Sequence, residues 1–232
     1  MAGRRDIYNA PAYKTLEASW YLRIPFATLR SWVIGRDYVA GGEVRRFQPV
    51  IMIADYKNKY LSFNNLVEAH VLWAIRRKHN IPLFKVRDAV EFLQRHFGTE
   101  RPLLEQQFVT DGIDLFIEKV GDLINVSRKG QMAMREVLQM HLRRIERDEM
   151  GFPIRLYPFT LSKPDPEATG PIVIDPKLSF GRPIIRSVGV PTVVIAERYK
   201  AGEVIAALAA DYDTKTEEIE EAIRSELEIR AA

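Results

Sequence analysis

The sequence contains no cysteine, which removes disulfides, thiolate metal sites and a cysteine nucleophile together. It also lacks any apolar run approaching the roughly 20 residues needed to cross a bilayer. Arg4 and Arg5 near the start are not followed by the apolar stretch of a secretory leader, so a cytoplasmic chain without membrane attachment is expected. Histidine is scarce. His70, His79, His96 and His141 form no metal-type pair at helical spacing, and packing or surface roles are assigned to them, with no metal site. There is no phosphate-cradling glycine loop, nucleophile elbow, internal repeat or low-complexity tract. A metal-dependent nuclease would need convergent carboxylates, and acids crowded into one exposed helical stretch do not make such a site. No catalysis and no cofactor are expected.

A large charge excess is missing too: 34 Lys and Arg face 31 Asp and Glu, a net +3 over 232 residues. Its distribution is uneven. Residues 1–60 carry ten cations against five acids, 61–150 fourteen against thirteen, and 151–232 ten against thirteen. A basic head and an acidic tail point to different partners. The content, 47% hydrophobic and 28% charged, is that of a globular chain with room for two or three small domains.

Along the chain, Thr15 can cap a helix to about Tyr21, and Pro25 suits the first turn of a second helix ending near Trp32. Trp20 and Trp32 are placed in the core. Gly41-Gly42 marks a turn, and residues 50–53 and 59–61 flank a polar run as a β-hairpin. Ser62 caps a helix to about His79. Another ends before Gly98, with Val86, Ala89, Val90, Leu93 and Phe97 as its core stripe. Beyond it, Asp111-Gly112 between apolar runs predicts a hairpin of 107–110 with 113–117, and Gly121-Asp122 a further turn before a strand over 123–126. Met134 to Ile145 follow helical spacing, and 154–159 read as a strand. Pro164, Pro166, Gly170 and Pro171 mark 161–171 as a linker. A short strand at 172–174 and three helices follow, the last from Thr214, with Thr214 and Glu217 as a capping box and Ile219, Ala222, Ile223 and Leu227 facing its core.

Between Thr15 and Trp32, small Ala18 lets two helices approach and Leu22 and Leu29 fill the angle between them. Ala27, Thr28, Arg30 and Ser31 are left on the outer face. A helix entering a major groove needs short side chains, a hydroxyl or guanidinium to donate, and flanking cations for phosphate. Glu17-Ala18, Thr28-Leu29-Arg30 and Trp32, with Arg45-Arg46-Phe47 as a wing, resemble the winged helix-turn-helix of MerR-like regulators over roughly the first hundred residues. The resemblance implies base reading by Thr28 and Arg30, and phosphate contacts from Arg23, Arg45, Arg46 and Lys57.

The tail is the more specific signal. Ile174-Asp175-Pro176, Gly181-Arg182-Pro183-Ile184-Ile185-Arg186, Gly189-Val190-Pro191-Thr192 and Tyr199-Lys200-Ala201-Gly202-Glu203 strongly resemble the bacterial unknown-function family four-three-three. With its MerR-like head, the whole order resembles VapB-type antitoxins. Glu203 to Arg230 hold nine acids against three cations, a surface that repels phosphate. Glu217, Glu218, Glu220 and Glu221 are therefore expected to face a protein, a basic RNA-cleaving toxin, although acids at a helix start also complement its dipole.

The fold expected is mainly α with small β elements (α+β). It divides into a winged helix-turn-helix over 1–98, an α+β middle over 99–160, a linker over 161–171 and a three-helix module over 172–232. The function expected is that of a type II antitoxin, a homodimer that binds operator DNA as autorepressor and neutralises a PIN-type ribonuclease. The alternatives are a MerR-like regulator controlled by a small ligand, and a protein-interaction adaptor without DNA binding.

Overall fold

Proline and glycine set the first elements of the computed structural model, which describes residues 7–79, 81–124, 127–158 and 169–227. A short strand β1 (Tyr13–Lys14) runs into α1 (Thr15–Leu22). The Lys14 N–H donates to the Glu17 carboxylate at 3.0 Å, while Thr15, expected as the cap, gives its hydroxyl to the Lys59 carbonyl at 3.1 Å. Arg23 closes α1 in the left-handed conformation (φ 52°). Pro25 opens α2 (Phe26–Val33), its carbonyl accepting from the N–H groups of Thr28 and Leu29 at 2.8 and 3.0 Å.

The hairpin of this region is β2 (Arg36–Ala40) against β3 (Glu43–Phe47), turning at Gly41-Gly42. Both glycines have positive φ, as a two-residue turn between twisted strands requires. The hairpin expected between 50–53 and 59–61 does not form. Carbonyls in the last turn of a helix lack intrahelical donors, and that of Trp32 takes the N–H groups of both Val50 and Ile51, at 2.7 and 3.1 Å. The chain is thereby drawn across the end of α2, burying Ile51 and Ile53, and β4 (Tyr60–Leu61) pairs with β1 instead.

Ser62 and Asn65 cap α3 (Phe63–His79) reciprocally. The Asn65 N–H donates to the Ser62 Oγ at 3.2 Å, and the Ser62 N–H to the Asn65 Oδ1 at 3.0 Å. After Pro82, α4 (Leu83–Phe97) ends at left-handed Gly98 and buries Val86, Ala89, Val90 and Leu93, with Phe97 half-buried.

The middle corrects the sequence reading. Phe108–Gly112 form a π-helical turn that continues into α5 (Ile113–Ile124), so Asp111-Gly112 is no hairpin and no strands flank it. Phe108 is buried, and so are Ile113, Phe116, Ile117 and Val120, a recurrence of three and four residues that a strand cannot place on one face. Gly112 is there for close packing: a Cβ would stand 2.9 Å from Phe108 and 3.0 Å from Phe97. Gly121 likewise lies inside α5, where a Cβ would press on the Gln131 amide at 2.6 Å. Leu123 and Ile124, expected in a strand, are helical, and 125–126 lie outside the described residues. Ser127 caps α6 (Arg128–Leu142), its Oγ accepting from the Gly130 N–H at 3.3 Å. The hairpin of the middle is β5 (Ile145–Arg147) with β6 (Pro153–Leu156).

One buried cluster runs from Tyr13 through Trp32, Phe63, Phe116 and Leu156 to Ile174, so residue 98 ends a helix rather than a core. Most of the expected linker, 161–168, lies outside the described residues. Beyond it β7 (Ile172–Val173) pairs with β8 (Ile184–Ile185), followed by α7 (Thr192–Lys200), α8 (Ile205–Asp211) and α9 (Thr216–Leu227). This unit has its own cluster of Ile172, Ile185, Ile195, Leu208, Ile219, Ala222 and Ile223, from which Leu227, expected there, is exposed. Thr214 hydrogen-bonds Glu218 rather than Glu217. Arg198 lies over the Tyr212 ring at 5.1 Å and pairs with Glu203 and Asp211, pinning the turn between α7 and α8 and holding the Glu203 carboxyl below its ordinary range. Leu156 and Ile174 exchange backbone hydrogen bonds of 3.0 and 2.8 Å, joining tail to middle. No helix among the described residues is long and apolar enough to cross a membrane.

Candidate nucleic-acid interface

The geometry of α1 and α2 follows from what they bury. Ala18, Leu22, Ile24, Leu29, Trp32 and Val33 close the space between and beneath them. The Ile24 N–H bonds the Ser19 carbonyl at 3.0 Å, which makes the turn tight. What remains outside is the opposite face of α2: Phe26, Ala27 and Arg30 are exposed, Thr28 and Ser31 half-buried. The Arg30 side chain has no hydrogen-bond or ion-pair partner among the described residues. The Ser31 hydroxyl donates to the Thr28 carbonyl at 2.7 Å, so its proton is already used. Phe26, 45% exposed, is not singled out by the sequence. Trp20, expected in the core, is 38% exposed. It sits on the α1 face away from Ala18 and lines a small cavity against the tail.

The β2–β3 hairpin stands beside α2 as a wing. Gly35, at φ 83°, makes the entry possible, since a Cβ there would overlap the Phe47 carbonyl oxygen. Arg46 pairs with Asp37 across the ladder at 3.2 Å and also donates to the Ile34 carbonyl at 3.2 Å. Arg45 stays at the surface with Glu43 at 3.7 Å. Two further cations belong here. The Arg87 guanidinium lies 4.4 Å from the Phe47 ring centroid and donates to the Gln48 carbonyl. Arg76 packs over Trp32 at 5.9 Å, and burial together with neighbouring Arg36 holds it below the ordinary guanidinium range. Like charges left this close make a local positive field that an anion relieves. They come from α3 and α4, which no linear motif ties to the wing.

Lys57 is exposed in the loop closed by Asp55, whose carboxylate accepts from the Asn58 N–H at 3.0 Å and its amide at 2.7 Å and is held below its ordinary range by those bonds. Arg23 is half-buried in the turn, and its guanidinium reaches the Ser225 carbonyl in α9 at 3.5 Å. The structure thus gathers Ala27, Thr28, Arg30 and Ser31 on one helix and Arg45 and Arg46 on one hairpin. Lys57 lies on a separate loop, and Arg23 faces the tail.

The four tail acids divide as well. Glu217 and Glu220 are exposed and Glu218 is half-buried against Ser187 and Thr214. Glu221 is buried and bonded to Arg224 at 2.6 Å, which takes it off the surface. Among the described residues no group of three or more His, Asp or Glu is placed to hold a metal ion.

Residues 11–90 match the family described as "Putative DNA-binding HTH domain". Residues 172–224 match "Protein of unknown function (DUF433)". Over nearly its whole length the chain is similar to a Mycobacterium tuberculosis protein named "Putative antitoxin VapB45", with 28% identity over 244 residues covering 96% of this chain and 98% of that protein. It is similar as well to "Uncharacterized protein Rv2308" of the same organism, with 27% identity over 225 residues covering 94% and 91%. The crystal structure of Rv2018 from Mycobacterium tuberculosis has the same fold, at a TM-score of 0.69 and 21% identity over 93% of this chain and 99% of that one. The fold is therefore shared over 93% of the chain.

Proposed function

We propose that this chain is the antitoxin of a toxin–antitoxin pair: its head binds operator DNA as an autorepressor, and its tail captures a basic, PIN-type ribonuclease. The observation that carries the DNA reading is the outer face of α2, where Arg30 stands exposed without a partner among the described residues beside a wing bearing Arg45 and Arg46. Thr28 and Arg30 read base edges in the major groove, Ala27 permits close approach, and Arg45, Arg46 and Lys57 position phosphates. One such module buries too little to select a site, so two copies bind a near-palindrome. The exposed Glu217 and Glu220 give the toxin a surface of opposite charge, and the name of the relative VapB45 supports the antitoxin assignment.

The test is a titration of the chain's own upstream duplex against a scrambled duplex, followed by co-purification with the product of the adjacent reading frame. Selective binding by two chains per site is expected. Equal affinity for both duplexes removes the DNA reading, and separate elution of the two proteins removes the antitoxin reading. A second reading, regulation by a small ligand, is favoured by a cleft of about 480 Å³ lined by Tyr8, Asn64, Arg101, Leu104 and Phe152.

A further inference from the structure

The C-terminal unit does not merely follow the head; it rests on the turn of the helix-turn-helix. Arg23, at the left-handed position between α1 and α2, donates to the Ser225 carbonyl at 3.5 Å. Tyr13, entering α1, is buried with its hydroxyl against Gly181, where a Cβ would collide with it. Between these contacts Glu17, Trp20 and Tyr21 of the head face Arg182, Pro183, Val193 and Glu226 of the tail across a cavity of about 250 Å³. The Glu226 carboxylate is held at that edge by the Thr192 hydroxyl at 2.6 Å.

From this contact we propose that the tail restrains DNA binding by the head, holding Arg23 and presenting Glu226 beside the turn that precedes the recognition helix, and that a basic partner shifting the tail unit off this turn releases the restraint. The inference rests on the DNA reading above and adds its regulation. Three features support it. Arg23 is a cation at the DNA-proximal turn, and a guanidinium committed to Ser225 is withdrawn from a phosphate. A carboxylate at the same edge repels the DNA backbone. The contact is also incompletely packed, with the void of about 250 Å³ and one long hydrogen bond, so it opens while the tail's own cluster stays intact. Linkage makes the effect reciprocal, and DNA must loosen the tail by the same factor by which the tail weakens DNA.

Absence of cysteine gives a clean experiment. In the full-length chain, Trp20→Cys with Val193→Cys places one thiol on each side of the cavity, to be bridged by a short bis-maleimide carrying an internal disulfide. The bridged chain should bind its upstream duplex at least about fivefold more weakly than the same chain after the linker is cleaved. Equal affinity before and after cleavage overturns the proposal, as does failure of the pair to bridge. If neither state binds the duplex, the DNA reading fails and its regulation with it, an outcome distinct from equal binding. Independently of DNA, Arg23→Ala should speed amide exchange over Ala222 to Leu227, and unchanged exchange there overturns the contact on which the restraint depends.

Discussion

Arg46 fastens the β2–β3 hairpin to the end of α2, its guanidinium donating to the Ile34 carbonyl and to Asp37 across the hairpin, each at 3.2 Å. An exposed ion pair contributes about 0–1 kcal/mol to stability, so Arg46→Ala should leave the melting temperature nearly unchanged. Operator affinity should nevertheless fall about fivefold, near 1 kcal/mol, because the wing loses its anchor. Arg46→Lys should not restore it, since one ammonium does not span both acceptors. Titrations of the three proteins at fixed salt decide it.

Arg30 and Arg45 should separate by kind of effect. Arg30→Ala is expected to lose about 1–3 kcal/mol of binding and to relax preference at one base position, whereas Arg45→Ala should weaken all duplexes alike and lower the salt slope by about one. A folded Arg30→Ala chain with wild-type affinity would take this residue out of the interface.

Two glycines at positive φ allow a paired test of the wing. Gly41 has open space around its missing Cβ, while at Gly35 that atom would overlap the Phe47 carbonyl. Gly41→Ala should cost about 1 kcal/mol from the left-handed backbone alone, and Gly35→Ala clearly more, on the order of 3 kcal/mol. Urea melts of both variants give the difference directly.

Stability should depend on pH through His70. Burial, with smaller contributions from His141 and Arg144, pushes its imidazole well below 6.5. The unfolded chain takes up this proton below that pH and the folded chain resists it, so the contribution is complete above pH 6.5 and is lost as pH falls beneath it. Midpoints of urea unfolding from pH 7.5 down to 5 should decline, and His70→Gln, which keeps a donor for the His141 carbonyl now 3.1 Å from His70 Nε2, should flatten the decline.

Charge reversal on α9 tests the proposed partner surface. Glu217→Lys together with Glu220→Lys should abolish co-purification with the neighbouring gene product and leave thermal stability almost unchanged, because both side chains are exposed. Full retention of the partner would place its contact elsewhere.

The head was legible because its decisive residues are local. Pro25, Gly98, the Ser62 cap and the spacing of Leu22, Leu29 and Trp32 each act within a few positions, and the structure places them as read. The middle was not, because Asp111-Gly112 carries two meanings. In isolation the pair favours a hairpin turn, whereas here the missing Cβ admits Phe97 and Phe108, a requirement that appears only once α4 and α5 are packed together. The hairpin expected from residues 50–53 and 59–61 fails for the same reason. The Trp32 carbonyl competes for Val50 and Ile51, and no local pattern announces an acceptor eighteen residues upstream. At the site, the α2 face could be read from helical spacing, but Arg76 and Arg87 reach the wing from helices whose crossing the sequence does not encode locally, and Arg23 faces a tail about 200 residues away.

The seam between Leu156 and Ile174 has a consequence for the chain's lifetime. The larger cluster draws one of its aliphatic members from the tail, so a ribosome that stops before residue 172 releases a product with an unpaired β6 edge and a hole where Ile174 belongs. Such an edge recruits other strands and proteases alike. A chain cut short of the tail should therefore be less stable and more quickly degraded than the full one.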